Sequence, residues 1–156
     1  MERLKKAITN ILLAFVFISI GFALGKHSVT SIKQSNIIPG EKGHHVVVYY
    51  LHSTFRCVTC NEIEKMTFNL LNKFYKKQLA DSTIIWIEDD FQQNETLAKK
   101  FNVVASCVVV AEIENGIVKD YKRLDDVWTL MREPEVFDKY IRDAIEKYLK
   151  KIGDKK

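Results

Sequence analysis

The chain has 156 residues, 47% of them apolar, which is enough for one packed domain plus an appendage and excludes a chain disordered throughout. Of its net charge of +4, Arg3, Lys5, Lys6 and Lys26 against Glu2 supply +3; the near-neutral remainder mixes Lys and Arg with Glu and Asp and excludes a nucleic-acid footprint. Three cysteines are too few, and odd in number, for a disulfide-stapled scaffold.

From Ala7 to Gly25 no residue is charged. At about 1.5 Å per helical residue this run reaches roughly 28 Å, the thickness of a bilayer's hydrocarbon core. The basic residues ahead of it predict a single-pass membrane helix spanning residues 7–25, with the N-terminus cytoplasmic and the rest of the chain outside. Alternatively, Ala23-Leu24-Gly25 has the small-x-small form of a signal cleavage site, which predicts secretion after a cut near Gly25. Either route places the domain outside the cytoplasm, in the periplasm or at the cell surface, where a protein disulfide persists. No cysteine stands directly after the run to carry a lipid. Residues 1–27 therefore read as an anchor or signal segment. Residues 28–43, with Ser28, Ser31, Ser35, Pro39, Gly40 and Gly43, read as a linker, and residues 44–152 as the folded domain.

His44 to Leu51 is nearly continuous Val and Tyr, the composition of a strand buried on both faces of an α/β sheet. Ile63, Met66, Leu70, Leu71, Phe74 and Tyr75 then recur at helical spacing, which predicts an amphipathic helix from about Val58 to Gln78. A second strand is expected over Thr83 to Glu88, a short helix over Gln93 to Lys100, and a third strand over Ser106 to Ile113. Asn115-Gly116 tolerates positive φ, so Ile117 to Tyr121 should return antiparallel. Pro134 suits the first turn of a last helix whose Phe137, Tyr140, Ile141, Ala144, Ile145, Tyr148 and Leu149 make one apolar face. Trp86 and Trp128 read as core aromatics without a substrate role, and Asp89 and Asp90 as a solvated pair.

The chemical signal is Cys57-Val58-Thr59-Cys60 at the start of the first long helix. Unpaired N–H groups and the positive end of the helix dipole favour a thiolate at Cys57, and Arg56 beside it is expected to push the same way. Such a thiolate attacks a disulfide, and Cys60 then resolves the mixed disulfide. The same spacing also suits half of a zinc or iron–sulfur site, for which His44, His45, His52 and Cys107 are the residues available to complete the ligand set. There is no Gly-rich fingerprint for a nicotinamide or flavin nucleotide, so no cofactor beyond a redox-active disulfide is expected.

With its order of strand, helix, strand, helix, strand, strand, helix, the segment from Val46 to Leu149 resembles thioredoxin-like proteins. That resemblance implies an α/β fold with a central mixed sheet flanked by helices. More narrowly, VVVYYLHSTFRCVTCNEIE together with YKRLDDVWTLMREPEVFDKYIRDAIEKYL resembles the ArsF family, known as nitrophenyl compound nitroreductase subunits. The resemblance implies an accessory subunit that passes electrons or thiols to an enzyme elsewhere, and the family name points to arsenic-related genes. Thioredoxins carry a cis-proline facing the cysteines, where this chain has Ser106 or Cys107. They also carry a buried acid six positions before the first cysteine, where this chain has Leu51.

The expectation is thus a membrane-tethered, extracytoplasmic thiol:disulfide oxidoreductase or electron-transfer subunit. Cys57 and Cys60 do the chemistry, with Arg56, Val58, Thr59, His52, Ser106 and Cys107 in support, His52 as a proton relay. The partner is another exported or membrane redox protein. Two alternatives stand beside it. If Cys107 faces the pair, three thiolates form a module for a soft ion such as arsenite or monovalent copper; if Cys107 instead belongs to the core, it is simply a small buried apolar residue. The chain is otherwise a scaffold subunit with inert cysteines.

Overall fold

The structure, a computed structural model, describes residues 2, 6, 10, 12, 13 and 42–153. The chain divides into two units, Met1–Asn36 and Ile37–Lys156. In the first, the five described residues are helical and exposed. The expected membrane helix at residues 7–25 lies outside the described residues apart from Asn10, Leu12 and Leu13, and the expected linker lies outside them apart from Lys42 and Gly43. Among the described residues no helix is long and apolar enough to cross a membrane.

The second unit runs β1 (His44–His52), α1 (Val58–Phe74), α2 (Lys76–Ala80), β2 (Ile84–Asp90), α3 (Glu95–Lys100), β3 (Cys107–Glu114), β4 (Ile117–Leu124), α4 (Val127–Leu130) and α5 (Pro134–Gly153). The four strands form one sheet in the order β2-β1-β3-β4. β1 pairs with β2 in parallel, β1 with β3 antiparallel, and β3 with β4 antiparallel. This is the mixed sheet flanked by helices expected of a thioredoxin-like arrangement, with β1 at its centre.

Burial explains why β1 lacks the usual apolar–polar alternation. Val46, Val48 and Tyr50 face one layer, formed by Ile63, Leu70 and Leu71 of α1 and by Phe137, Ile141, Ile145 and Tyr148 of α5. Val47, Tyr49 and Leu51 face the other, formed with Leu97 of α3 and with Phe101 and Val103. A central strand covered on both faces has no solvent side for a polar residue. The hairpin turn forms as expected, Asn115 and Gly116 both having positive φ. Asn115 also ties the start of the domain to the turn: its N–H donates to the Gly43 carbonyl at 2.7 Å and its side-chain carbonyl accepts the Gly43 N–H at 3.1 Å.

The expected helix over 58–78 is in fact two. Its apolar spacing continues through Tyr75, but there the backbone leaves helical geometry (φ −129°, ψ 24°) and the chain restarts as α2. Tyr75 is buried, and its hydroxyl donates to Glu146 of α5 at 2.8 Å, a long-range tie that holds the residue off the helix axis. β4 runs three residues further than expected, because Leu124 at its end is buried opposite Val108.

Candidate functional site

Cys57 is the N-cap of α1. Its backbone is extended (φ −90°, ψ 166°), and its sulfur accepts the N–H of Cys60 at 3.2 Å, the place a serine or aspartate oxygen takes in an ordinary cap. Its carbonyl accepts the Asn61 N–H at 3.1 Å as the first helical bond. Cys57 is exposed, whereas Cys60, one turn in, is buried.

The two thiols are therefore unlike. The Cys60 thiol and then the Cys60 N–H donate to Cys57 and hold its thiol below the usual cysteine value, with the Thr59 N–H adding to the effect. Burial pushes the Cys60 thiol up, and its hydrogen bond to Cys57 pushes further, against a hydroxyl contact from Ser106 that lowers it. A thiolate at Cys57 with the proton kept on Cys60 is the arrangement of an attacking and a resolving sulfur.

Arg56 acts differently from expectation. Its guanidinium pairs with Glu64 of α1 and, at 2.9 Å, with Glu88 of β2, over the Tyr50 ring. A cation already held by two carboxylates has little field left for its neighbour, and the groups that lower Cys57 are hydrogen-bond donors. Arg56 is better described as the clamp that fixes the Cys57 loop between α1 and β2. Beneath that loop the Tyr50 hydroxyl donates to the Cys60 carbonyl at 2.6 Å. The His52 ring is engaged by other groups: Nδ1 lies 2.9 Å from the Ser53 carbonyl and Nε2 lies 3.6 Å from Glu88. Val58 projects from the first turn into solvent, with 87% of its surface exposed.

Ser106 and Cys107 part company. Cys107 is the first residue of β3, opposite Leu51, and shares the layer of Leu97, Phe101 and Val103. α1 packs on the other face of the sheet. Burial pushes the Cys107 thiol up to about 12. The three-thiol site is therefore corrected: alternation along β3 turns Cys107 into the core behind the sheet, away from the helix that carries the pair. Among the described residues no three His, Cys, Asp or Glu side chains converge as a metal site. His44 and His45 lie at the opposite end of β1, occupied by Glu112 and the Ser82 carbonyl. Ser106 instead bonds to the loop that leads into α1: its hydroxyl oxygen accepts the Ser53 N–H at 3.3 Å, and the described residues contain no cis peptide bond.

One residue of the site was misassigned from sequence. Trp128, expected in the core, is 38% exposed, and its indole N–H donates to the Ser106 carbonyl at 2.7 Å. Its only sequence signal was an aromatic outside the periodic apolar face of the last helix.

No family model and no curated protein matches the chain, so the ArsF resemblance rests on the sequence motifs alone. Among solved structures, the chain is similar to a thioredoxin of Fasciola hepatica (20% identity over 74% of this chain and 93% of that one, TM-score 0.37). It is also similar to the oxidised thioredoxin of Plasmodium falciparum (16% identity, 60% and 82%, TM-score 0.37). A third is thioredoxin-2, described as a component of malaria parasite protein secretion machinery (22% identity, 58% and 84%, TM-score 0.36). The sheet order and the helix placement, not these likenesses, carry the assignment of a thioredoxin-like fold.

Proposed function

We propose that the chain is a thiol:disulfide oxidoreductase or thiol-based electron carrier that cycles Cys57 and Cys60 between dithiol and disulfide. The observation that carries this reading is the exposed Cys57 sulfur at the N-cap of α1, accepting the N–H of a buried second cysteine one turn later. The Cys57 thiolate attacks one sulfur of a partner disulfide. The other partner sulfur leaves with the electron pair and is protonated. Cys60 then attacks Cys57, the mixed disulfide breaks, and the partner is released as a dithiol. Against a more oxidising partner the same steps run in reverse.

The partner in this reading is a protein. Phe55, Val58 and Val104 are large, apolar and exposed; Phe55 and Val104 stand two residues from Ser53 and Ser106, which bond to each other, and partly exposed Trp128 bonds to Ser106 as well. The uncharged run from Ala7 to Gly25, with basic residues before it, supports a membrane tether and an exported or membrane-bound redox partner. The motif-level likeness to ArsF subunits fits an accessory role beside a larger reductase.

The test uses glutathione disulfide and mass spectrometry. The Cys60→Ser chain should gain one stable glutathione at Cys57. The wild-type chain should pass on to an internal disulfide, and the Cys57→Ser chain should form no adduct at the pair. Failure of Cys60→Ser to hold the adduct at Cys57 contradicts the reading.

A further inference from the structure

The first turn of α1 is lightly capped for a helix that carries a reactive group. Its N-cap acceptor is the Cys57 sulfur, weaker than a serine or aspartate oxygen, and the turn holds no acidic residue to complement the dipole. The N–H groups of a first turn have no partners inside the helix, and helix ends fray there. Yet the Cys57 site depends on that turn, because the Cys60 N–H must stay at its 3.2 Å from the Cys57 sulfur.

Tyr50 supplies the missing tie. It stands on β1, between Glu88 of β2 and Val108 of β3, and is fully buried in the layer shared with α1. Its hydroxyl donates to the Cys60 carbonyl at 2.6 Å. The same peptide unit carries the Asn61 N–H, which donates to the Cys57 carbonyl at 3.1 Å. Linked hydrogen bonds polarise one another, so these groups form a chain from the central strand to Cys57. Cys60 is thus gripped at both ends: Tyr50 holds its carbonyl while its N–H serves the sulfur. The Tyr50 ring also meets the other side of the loop, with the Arg56 guanidinium 6.0 Å from its centre and the His52 ring 6.1 Å away. One buried side chain therefore engages residues both before and after Cys57.

Building on the oxidoreductase reading, we propose that Tyr50 is a positioning residue for the cysteine pair: its hydroxyl fixes the first turn of α1 so that the Cys60 N–H stays aimed at the Cys57 sulfur. A hydrogen bond donated to a sulfur stabilises its charged form, and its strength falls steeply as the donor swings off line. Without the hydroxyl the turn is free to ride away from β1, and the Cys57 thiolate is less favoured. A less favoured thiolate is a less favoured dithiol state, so the equilibrium of the pair moves toward the disulfide. In the exchange with oxidised dithiothreitol, two electrons pass to the reagent as the Cys57–Cys60 bond forms and the reagent's S–S bond breaks. The reagent takes up two protons, one from the Cys60 thiol and one from solvent when Cys57 is ionised.

The experiment compares wild type, Tyr50→Phe and Tyr75→Phe in the full chain. Tyr50→Phe keeps the ring and removes only the hydroxyl. Tyr75→Phe removes a tyrosine hydroxyl at the far end of α1, where it donates to Glu146 at 2.8 Å, and so reports what lost stability alone does. Cys57 is titrated in the reduced proteins by its 13Cβ chemical shift, and the equilibrium with dithiothreitol is measured at a pH above that titration. Tyr50→Phe is expected to raise the Cys57 titration by about half a pH unit, part of the worth of one hydrogen bond, and to move the equilibrium about threefold toward the disulfide. Tyr75→Phe should leave both at wild-type values. An unchanged Cys57 titration in Tyr50→Phe overturns the proposal, whatever stability the chain has lost, and so does an equal shift in Tyr75→Phe. If Cys57 shifts in Tyr50→Phe but the wild-type pair forms no disulfide, the positioning role stands and the oxidoreductase reading is what fails.

Discussion

At the scale of single residues the site is defined by the difference between two sulfurs three positions apart. Cys57 caps a helix with its sulfur and collects N–H donors, while Cys60 sits one turn down in the core and gives its proton toward Cys57. Donors to a sulfur favour its charged form, so the Cys57 thiolate persists to lower pH than in a free cysteine; burial acts oppositely on Cys60. Reaction with iodoacetamide, followed peptide by peptide against pH, should rise for Cys57 below the free-thiol value of about 8.5 and for Cys60 above it. Coincident profiles at the free value would contradict the asymmetry. The position of Cys57 was legible in the sequence, since a C-x-x-C opening a periodic apolar run can hardly lie elsewhere. Which of Ser106 and Cys107 faces it was not. That choice is set by the pairing of Leu51 with Cys107, and a one-residue change in register exchanges the two faces of a strand.

Among the elements, α1 is held by its cap, by the Tyr50 hydroxyl under its first turn, and by Arg56, which joins Glu64 on the helix to Glu88 on β2. Arg56 is partly exposed, so the clamp is worth less than a buried pair. Arg56→Ala should cost about 1 kcal/mol of stability in denaturant unfolding and leave the Cys57 alkylation profile close to wild type. A large upward shift of that profile would show that Arg56 acts as a free cation on the sulfur after all. Helix periodicity reported α1 and α5 well because their apolar faces pack on the same side of the sheet. It missed the break at Tyr75, whose cause is a hydrogen bond to Glu146, 71 residues away. It also missed α4, whose four residues are too short to show a period. α4 matters because it carries Trp128 to the Ser106 carbonyl, and a local pattern cannot show a contact across 22 residues of chain.

Within the domain, the decisive feature is a central strand buried on both faces, followed by the loop that leads to Cys57. The Val and Tyr run of β1 and the Asn-Gly turn made that architecture legible, because each admits few alternatives. The layered packing sends Cys107 behind the sheet and leaves exposed Cys57 and buried Cys60 as a pair, not a triad, at the start of α1. A pair of unlike, adjacent thiols is what the proposed redox cycle requires. The central claim is tested most directly by equilibrating the full chain against graded mixtures of reduced and oxidised dithiothreitol, trapping free thiols and mapping the disulfides. The account predicts one reversible two-electron transition that joins Cys57 to Cys60 and is absent from either Cys→Ser variant, with Cys107 a free thiol throughout. A chain that forms no disulfide at any poise, or one whose disulfide includes Cys107, would contradict it.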